Sequence, residues 1–227
     1  MMCMSIQAQI EKINNELPST VKLVAVSKFN PVEAVQVAYD AGQRIFGESR
    51  PQELFQKVSV LPSDIKWHFI GHLQTNKLKM VLPYVDMVHS VDSERLLVEI
   101  NKYAVKNNLK VKCLLEVFIA QEESKQGFSK DELFALLDKM QQETMSGVEI
   151  CGLMGMASFV DDRNQIAAEF DQLKGIFDMA REKYISTLPN FNELSMGMSG
   201  DYDIAVEKGS TLVRIGTSIF GARNYNK

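Results

Sequence analysis

The stretch Val21-Lys22-Leu23-Val24-Ala25-Val26-Ser27-Lys28-Phe29-Asn30-Pro31 sets the reading of the whole chain. Leu23 to Val26 is a short apolar run rich in β-branched residues, the composition of a buried strand. Pro31 suits the first turn of a helix, because its missing N–H is one that a helix start leaves unpaired anyway. Strand then helix is the opening of a β/α unit, and Lys28 stands between the two. Loss of water around its stem would disfavour the ammonium and lower the lysine pKa, as a Schiff-base lysine requires. On this stretch alone, a lysine whose head reaches water is the plainer reading, since lysines end many strands.

The same unit recurs outward from there. Apolar runs predict strands at 23–26, 44–47, 66–70, 87–90, 111–119, 148–154, 194–196 and 211–215. Helical spacing lies between them. Ile6, Ile10, Ile13 and Leu17 mark a first amphipathic helix that stops before Pro18. Val32, Val35 and Ala38 mark a second, closed by Gly42. Ser49 is expected to cap the third, with Pro51 in its first turn and Leu54, Phe55 and Val58 facing inward. Shorter or longer helical faces follow at 78–82, 96–104 (capped by Ser93), 133–140, 166–184 and 202–206. Eight strands alternating with helices imply a parallel sheet, and eight such units suggest closure into a single-domain (β/α)8 TIM barrel over residues 1–227. The chain ends soon after the eighth strand, so the N-terminal helix is expected to cover the flank left open. An open doubly wound sheet is the alternative, weakened by the lack of a glycine fingerprint after the first strand.

Composition narrows the function classes. The chain has 227 residues, 45% hydrophobic and 24% charged, the balance of an ordinary globular protein. A net charge of -4 gives no basic footprint for nucleic acid. Cys3, Cys113 and Cys151 lack metal-ligand spacing and read as reduced thiols, which points to the cytoplasm. The N-terminus lacks a basic region followed by an apolar core, and no apolar run is long enough to span a bilayer, so neither a signal peptide nor a membrane anchor is expected.

In a parallel barrel, working residues lie at the C-terminal strand ends. There the sequence places Lys28, Glu48 and Ser49, Gly71 and His72, Ser90 and Asp92, and the run Met154 to Ser158. Met196-Gly197-Met198-Ser199-Gly200 and Gly216-Thr217-Ser218 follow the last two strands. Small residues let backbone N–H groups approach an anion, and hydroxyls add donors. A phosphate there and an amine at Lys28 together suggest a phosphorylated aldehyde bound as an imine, though each glycine loop taken singly fits a plain turn. Arg214, inside the eighth strand, either points outward or enters the barrel and needs a partner. A pyridine nitrogen is one candidate, and the guanidinium would oppose its protonation. His68 and His89 read as hydrogen-bonded core or lining residues, and His68 with His72 does not make a helical metal pair. Glu122, Glu123 and Lys125 fit a solvated loop, and the methionines fit core filler.

Several blocks together carry a resemblance. They are Leu23-Val24-Ala25-Val26-Ser27-Lys28, Phe46-Gly47-Glu48-Ser49-Arg50, Trp67-His68-Phe69-Ile70-Gly71-His72-Leu73-Gln74-Thr75-Asn76-Lys77 and His89-Ser90-Val91-Asp92. They continue with Ser124-Lys125-Gln126-Gly127-Phe128, Gly152-Leu153-Met154, Leu194-Ser195-Met196-Gly197-Met198-Ser199 and Val213-Arg214-Ile215-Gly216-Thr217-Ser218-Ile219-Phe220-Gly221. In this order the chain resembles the pyridoxal-phosphate homeostasis family (YggS/PROSC-like). The resemblance implies a barrel like the N-terminal domain of alanine racemase, holding pyridoxal 5'-phosphate (PLP) as an imine on Lys28. It sets Arg214 against the ring nitrogen and makes Ser199, Gly216 and Thr217 the phosphate ligands, with Ser49 also near the cofactor. Ser49, Asn30, Pro51 and Phe118 depart from the family pattern, which commonly has asparagine, a basic residue, valine and asparagine there. Ser49 is short, so its contact with the cofactor would run through water, and Asn30 removes a charge beside the site.

The implied function is a non-catalytic carrier in intracellular vitamin B6 homeostasis. Its partners would be PLP and apo PLP-dependent enzymes, with no metal, nucleic acid or membrane, and a monomer is expected. A small PLP-dependent amino-acid racemase is the alternative, with Tyr202 and Tyr225 the nearest rivals for its opposing base. A barrel lyase or aldolase using Lys28 on a free substrate is a third class.

Overall fold

The structure, a computed structural model, describes residues 5–120, 126–142 and 145–221. Eight strands run β1 (Lys22–Val26), β2 (Ile45–Glu48), β3 (Lys66–Phe69), β4 (Met87–Val91), β5 (Val111–Glu116), β6 (Val148–Met154), β7 (Glu193–Met198) and β8 (Leu212–Ile215). All neighbours are parallel, and β1 pairs with β8 to close the barrel. The helices are α1 (Ile6–Glu16), α2 (Val32–Asp40), α3 (Pro51–Val58), α4 (Leu78–Val81), α5 (Glu94–Lys106), α6 (Lys130–Met140), α7 (Arg163–Tyr184), α8 (Tyr202–Glu207) and α9 (Thr217–Phe220). The expected (β/α)8 barrel is therefore present, and the open sheet is not.

Local chemistry accounts for most of the boundaries. Ser93 and Asp162 accept backbone N–H groups at the starts of α5 and α7, and Ser129 with Glu132 forms a full capping box at α6. α1 packs against α2 and the short α9, so it does close the flank where a long eighth helix would lie. Among the described residues no helix is long and apolar enough to cross a membrane.

Three expectations are corrected. β5 ends at Glu116 rather than at residue 119. There Glu116 O accepts from Phe128 N at 2.7 Å and Phe118 N donates to Phe128 O at 2.9 Å, so the chain leaves the sheet. Ser49 does not cap α3: Arg50 takes that position, without a side-chain bond to the helix. Phe55 is 50% exposed, because the inward stripe of α3 runs through Leu54, Lys57 and Val58 at the i, i+3, i+4 spacing. Phe55 instead meets Tyr84 edge-on at 5.8 Å.

Two apolar cores result. The larger lies between the sheet and the helices. The smaller fills the barrel with Val24, Met87, Leu114, Cys151, Met154 and Leu212. Successive strand residues face opposite sides, so Lys22, His68, Lys112, His89, Glu116, Ser195 and Arg214 share the inward parity of that small core. Lys22, Lys66, Lys112 and Glu193, one from each odd-numbered strand, rim the N-terminal mouth. His68 borders that mouth as well, and the other polar inward residues lie deeper.

Candidate cofactor site

The lysine segment is built before anything is bound. Ser27 is fully buried and donates to Glu48 Oε1 at 2.7 Å. Lys57 Nζ reaches the same oxygen at 2.5 Å and Ser27 O at 2.8 Å. This buried network pins the backbone directly before Lys28. Directly after it, Phe29 adopts φ +64°, the left-handed region that a bulky side chain avoids. Glu53 holds that turn by accepting Phe29 N–H at 2.7 Å, and Arg50 lies over the Phe29 ring at 4.3 Å. Lys28 is half-buried, between a fixed strand end and a constrained turn.

Barrel closure brings the two ends of the sequence together. Val24 lies opposite Arg214 and Ala25 opposite Ile215, so Lys28 and Gly216 leave adjacent strands. Ser199 follows β7, and its Oγ accepts Gly216 N–H at 3.2 Å. A Cβ on Gly216 would meet Val26 O at 3.2 Å, so the backbone is close to β1. The amides of Thr217 and Ser218 open α9 without a side-chain cap. Those amides, without an acceptor among the described residues, and the Ser199 and Thr217 hydroxyls make a donor set of the kind a phosphate needs. Gly197, at φ +94°, packs against α8, and a Cβ there would stand 2.5 Å from Ala205 Cβ.

Arg214 points inward and is 5% exposed. It donates to Ser195 Oγ at 2.6 Å and to Gly155 O at 3.1 Å. Among the described residues no carboxylate stands in ion-pair range of it. Burial pushes its pKa down to about 10, opposed by Asp201 and Glu116, so it stays charged at neutral pH. Ser195 bonds in turn to His89, and His89 to His68. Burial holds His89 well below the usual imidazole range and pushes His68 down to about 4. Both rings are hydrogen-bonded barrel residues, as the sequence reading favoured, and burial disfavours their charged forms.

Glu116 is the feature that reading missed. It is 3% exposed at the C-terminal end of β5, and its buried Oε2 has no hydrogen-bond partner among the described residues. Burial first, and Asp92 second, push its pKa up to about 7 against the pull of Arg214. Glu48 Oε2 is likewise buried without a partner among the described residues. The side chain of Ser49, the next residue, makes no hydrogen bond among the described residues, and a Cβ on Gly71 would stand 2.3 Å from Ser49 O, so the two backbones lie close. Tyr202 is turned to the flank, its hydroxyl donating to Glu16 at 2.8 Å. Tyr225 and the 122–125 loop lie outside the described residues. Among the described residues no group of three His, Cys, Asp or Glu is placed to hold a metal ion, and Cys113 and Cys151 are free, buried thiols.

An amine at a strand end, a guanidinium in the barrel and an anion cradle beside both match the three polar features of PLP: aldehyde, ring nitrogen and phosphate. Residues 3–224 match the family model described as "Alanine racemase, N-terminal domain". The pyridoxal phosphate homeostasis protein of Aquifex aeolicus is 38% identical over 90% of this chain and 88% of its own. That of Vibrio cholerae is 37% identical over 98% of both, and that of Bos taurus 39% over 98% of this chain and 85% of its own. PipY of Synechococcus elongatus, solved with PLP bound, superposes with a TM-score of 0.85 at 34% identity, covering 96% of this chain and all of that one. A Clostridium difficile alanine racemase shares the fold alone, at 14% identity and TM-score 0.71, with 98% of this chain covered and 57% of that one. The chain belongs to the alanine racemase N-terminal domain family and, within it, to the pyridoxal phosphate homeostasis proteins.

Proposed function

We propose that this chain binds PLP at the C-terminal mouth of its barrel, holds it as an imine on Lys28, and buffers or delivers it within vitamin B6 homeostasis. The observation that carries this is the convergence of Lys28, Arg214 and the Ser199–Gly216–Thr217 cradle on three adjacent strand ends. PLP supplies the aldehyde. Lys28 supplies the nucleophile, and its constrained turn fixes where the amine stands. Ser199, Thr217 and the α9 amides bind the phosphate, and Arg214 donates toward the ring nitrogen. A guanidinium there opposes ring protonation, which leaves the ring less able to absorb carbanion charge. Ser49 takes a place at the cofactor's edge, one water away. The protein works in the cytoplasm as a monomer, and its protein partners are apo PLP-dependent enzymes. An incoming amine would free Lys28 by taking over the imine, whereas water adding to the Lys28 imine would release the aldehyde itself.

A small amino-acid racemase is the second reading, and Glu116 is the observation that favours it. A buried carboxyl with its pKa near 7 has the profile of a general acid or base. Two assays on one sample separate the readings. In deuterated buffer, alanine and other amino acids should show no α-proton exchange above free PLP, and the loaded protein should reactivate an apo PLP enzyme. Stereospecific α-exchange abolished by Lys28→Ala or Glu116→Gln would overturn the carrier in favour of the racemase.

A further inference from the structure

The barrel interior carries a polar line that crosses it from Arg214 to the opposite mouth. Arg214 Nη1 stands 2.6 Å from Ser195 Oγ, Ser195 Oγ 3.0 Å from His89 Nδ1, and His89 Nε2 2.8 Å from His68 Nδ1. His68 Nε2 then faces Asp86 Oδ2 at 3.8 Å, beyond direct bonding distance. Asp86 in turn takes Lys112 at 3.3 Å at the N-terminal mouth. Ser195, His89 and His68 are each 3% exposed or less, so every proton on the line needs a protein partner.

Donor rules give the line a direction. Arg214 can only donate. Ser195 Oγ therefore accepts from it and has one hydrogen of its own to place. If that hydrogen goes to His89 Nδ1, His89 is the Nε2–H tautomer and donates to His68 Nδ1. His68 is then also the Nε2–H tautomer, and its N–H points at the Asp86 carboxylate. Ser195 and His89 are then fully partnered, and the one N–H left over, on His68 Nε2, faces a carboxylate at 3.8 Å. In the reverse arrangement both Arg214 and His89 donate into Ser195. The Ser195 hydroxyl hydrogen is then stranded in the core, and His68 turns a bare nitrogen lone pair toward a carboxylate. Only the first arrangement avoids both costs.

We infer that Ser195, His89 and His68 form a one-way donor chain that fixes the Arg214 guanidinium, making all three positioning residues for the cofactor's ring nitrogen. This rests on the reading of Arg214 given under Proposed function. Ser195 takes one Arg214 N–H and Gly155 O takes another at 3.1 Å, which sets the plane of the guanidinium. Gly155 is itself clamped, its N–H donating to Ser195 O at 3.1 Å. The remaining donors of Arg214 are thereby aimed by the protein's own contacts, which lowers the ordering cost that binding would carry. While His89 holds its Nδ1 bare, the Ser195 hydrogen has an acceptor and Arg214 is the one donor into Ser195 Oγ. His68 enforces that by accepting from Nε2.

The test has two arms. The first is 15N NMR of the ligand-free protein labelled at histidine, which contains only three histidines and uses the exposed His72 as reference. His68 and His89 should both appear at neutral pH as neutral Nε2–H tautomers. Either ring found as the Nδ1–H form, or protonated, overturns the chain whatever the ligand. The second arm titrates PLP and its 1-deaza analogue, which lacks the ring nitrogen. Arg214→Met and Ser195→Ala should each weaken PLP about tenfold and leave the deaza analogue within about twofold. Equal losses for both ligands with Ser195→Ala, while Arg214→Met spares the deaza analogue, would refute positioning by the chain and leave the reading of Arg214 intact. Equal losses for both ligands with Arg214→Met would refute that reading, and the positioning role with it.

Discussion

Replacing Glu116 by glutamine should change how stability depends on pH, by an amount the structure sets. The carboxyl is 3% exposed, its Oε2 has no partner among the described residues, and burial raises its pKa to about 7 from an ordinary 4.5. A carboxyl with a raised folded pKa binds its proton more tightly folded than unfolded. Its contribution is complete below about pH 4.5 and is lost as pH rises through 7. Each pKa unit is worth about 1.4 kcal/mol, so the full loss is about 3 kcal/mol, of which roughly 2.5 falls between pH 5 and pH 8. Glu116→Gln keeps the shape and removes the titration. The stability of the variant relative to the parent should therefore rise by about 2.5 kcal/mol over that range, or roughly 5–10 °C in Tm for a chain of this size. Urea denaturation of both ligand-free proteins at half-unit pH steps measures it, and other titrating groups cancel in the difference. A constant offset from pH 5 to 8 would show that Glu116 is ionised in the folded protein and that the buried-acid argument is wrong.

Other perturbations follow from named contacts. Ser199→Ala and Thr217→Ala should each weaken PLP about tenfold or more, with a smaller loss for pyridoxal, because charge-assisted bonds of about 1.5–3 kcal/mol serve only the phosphate. Equal losses for both ligands would place the phosphate elsewhere. Lys57→Met should cost about 3–5 kcal/mol by stranding Glu48, and the double change Lys57→Met with Glu48→Met should cost less than the single one. Chemical denaturation reads both, and a double variant weaker than either single would contradict the pairing. Gly152 sits at φ +152°, where a Cβ would fall 1.7 Å from Glu193 O. Gly152→Ala should therefore lose about 3 kcal/mol or more, or fail to fold, and a near-neutral result would refute the register of β6 against β7.

What could be read from the chain alone was what local chemistry decides. β6 was legible at both ends because an apolar run from Val148 to Met154 is bounded by Gly147 and Gly155. The strand ends were legible too, and with them Lys28, Ser199, Arg214, Gly216 and Thr217 as residues of one mouth. Errors arose where distant partners decide. Val117 and Ile119 continue an apolar run, yet the backbone there turns to Phe128. Lys57 looks like a surface lysine at the end of α3, and only Glu48 and Ser27 explain its burial. The left-handed turn at Phe29 depends on Glu53, 24 residues on. The line from Arg214 through Ser195 and His89 to His68 joins four strands. Nothing in any one strand reveals it beyond inward parity. Ser49 was assigned a capping role because its residue type suits one, but Arg50 holds the position.

The central claim is that Lys28 carries the cofactor. Incubating the protein with PLP, reducing with borohydride and mapping the peptides tests it most directly. The account predicts a single dominant pyridoxyl adduct on Lys28, and its loss with the accompanying absorption change in Lys28→Ala. A dominant adduct on Lys77 or Lys125, with Lys28 unmodified, would contradict it.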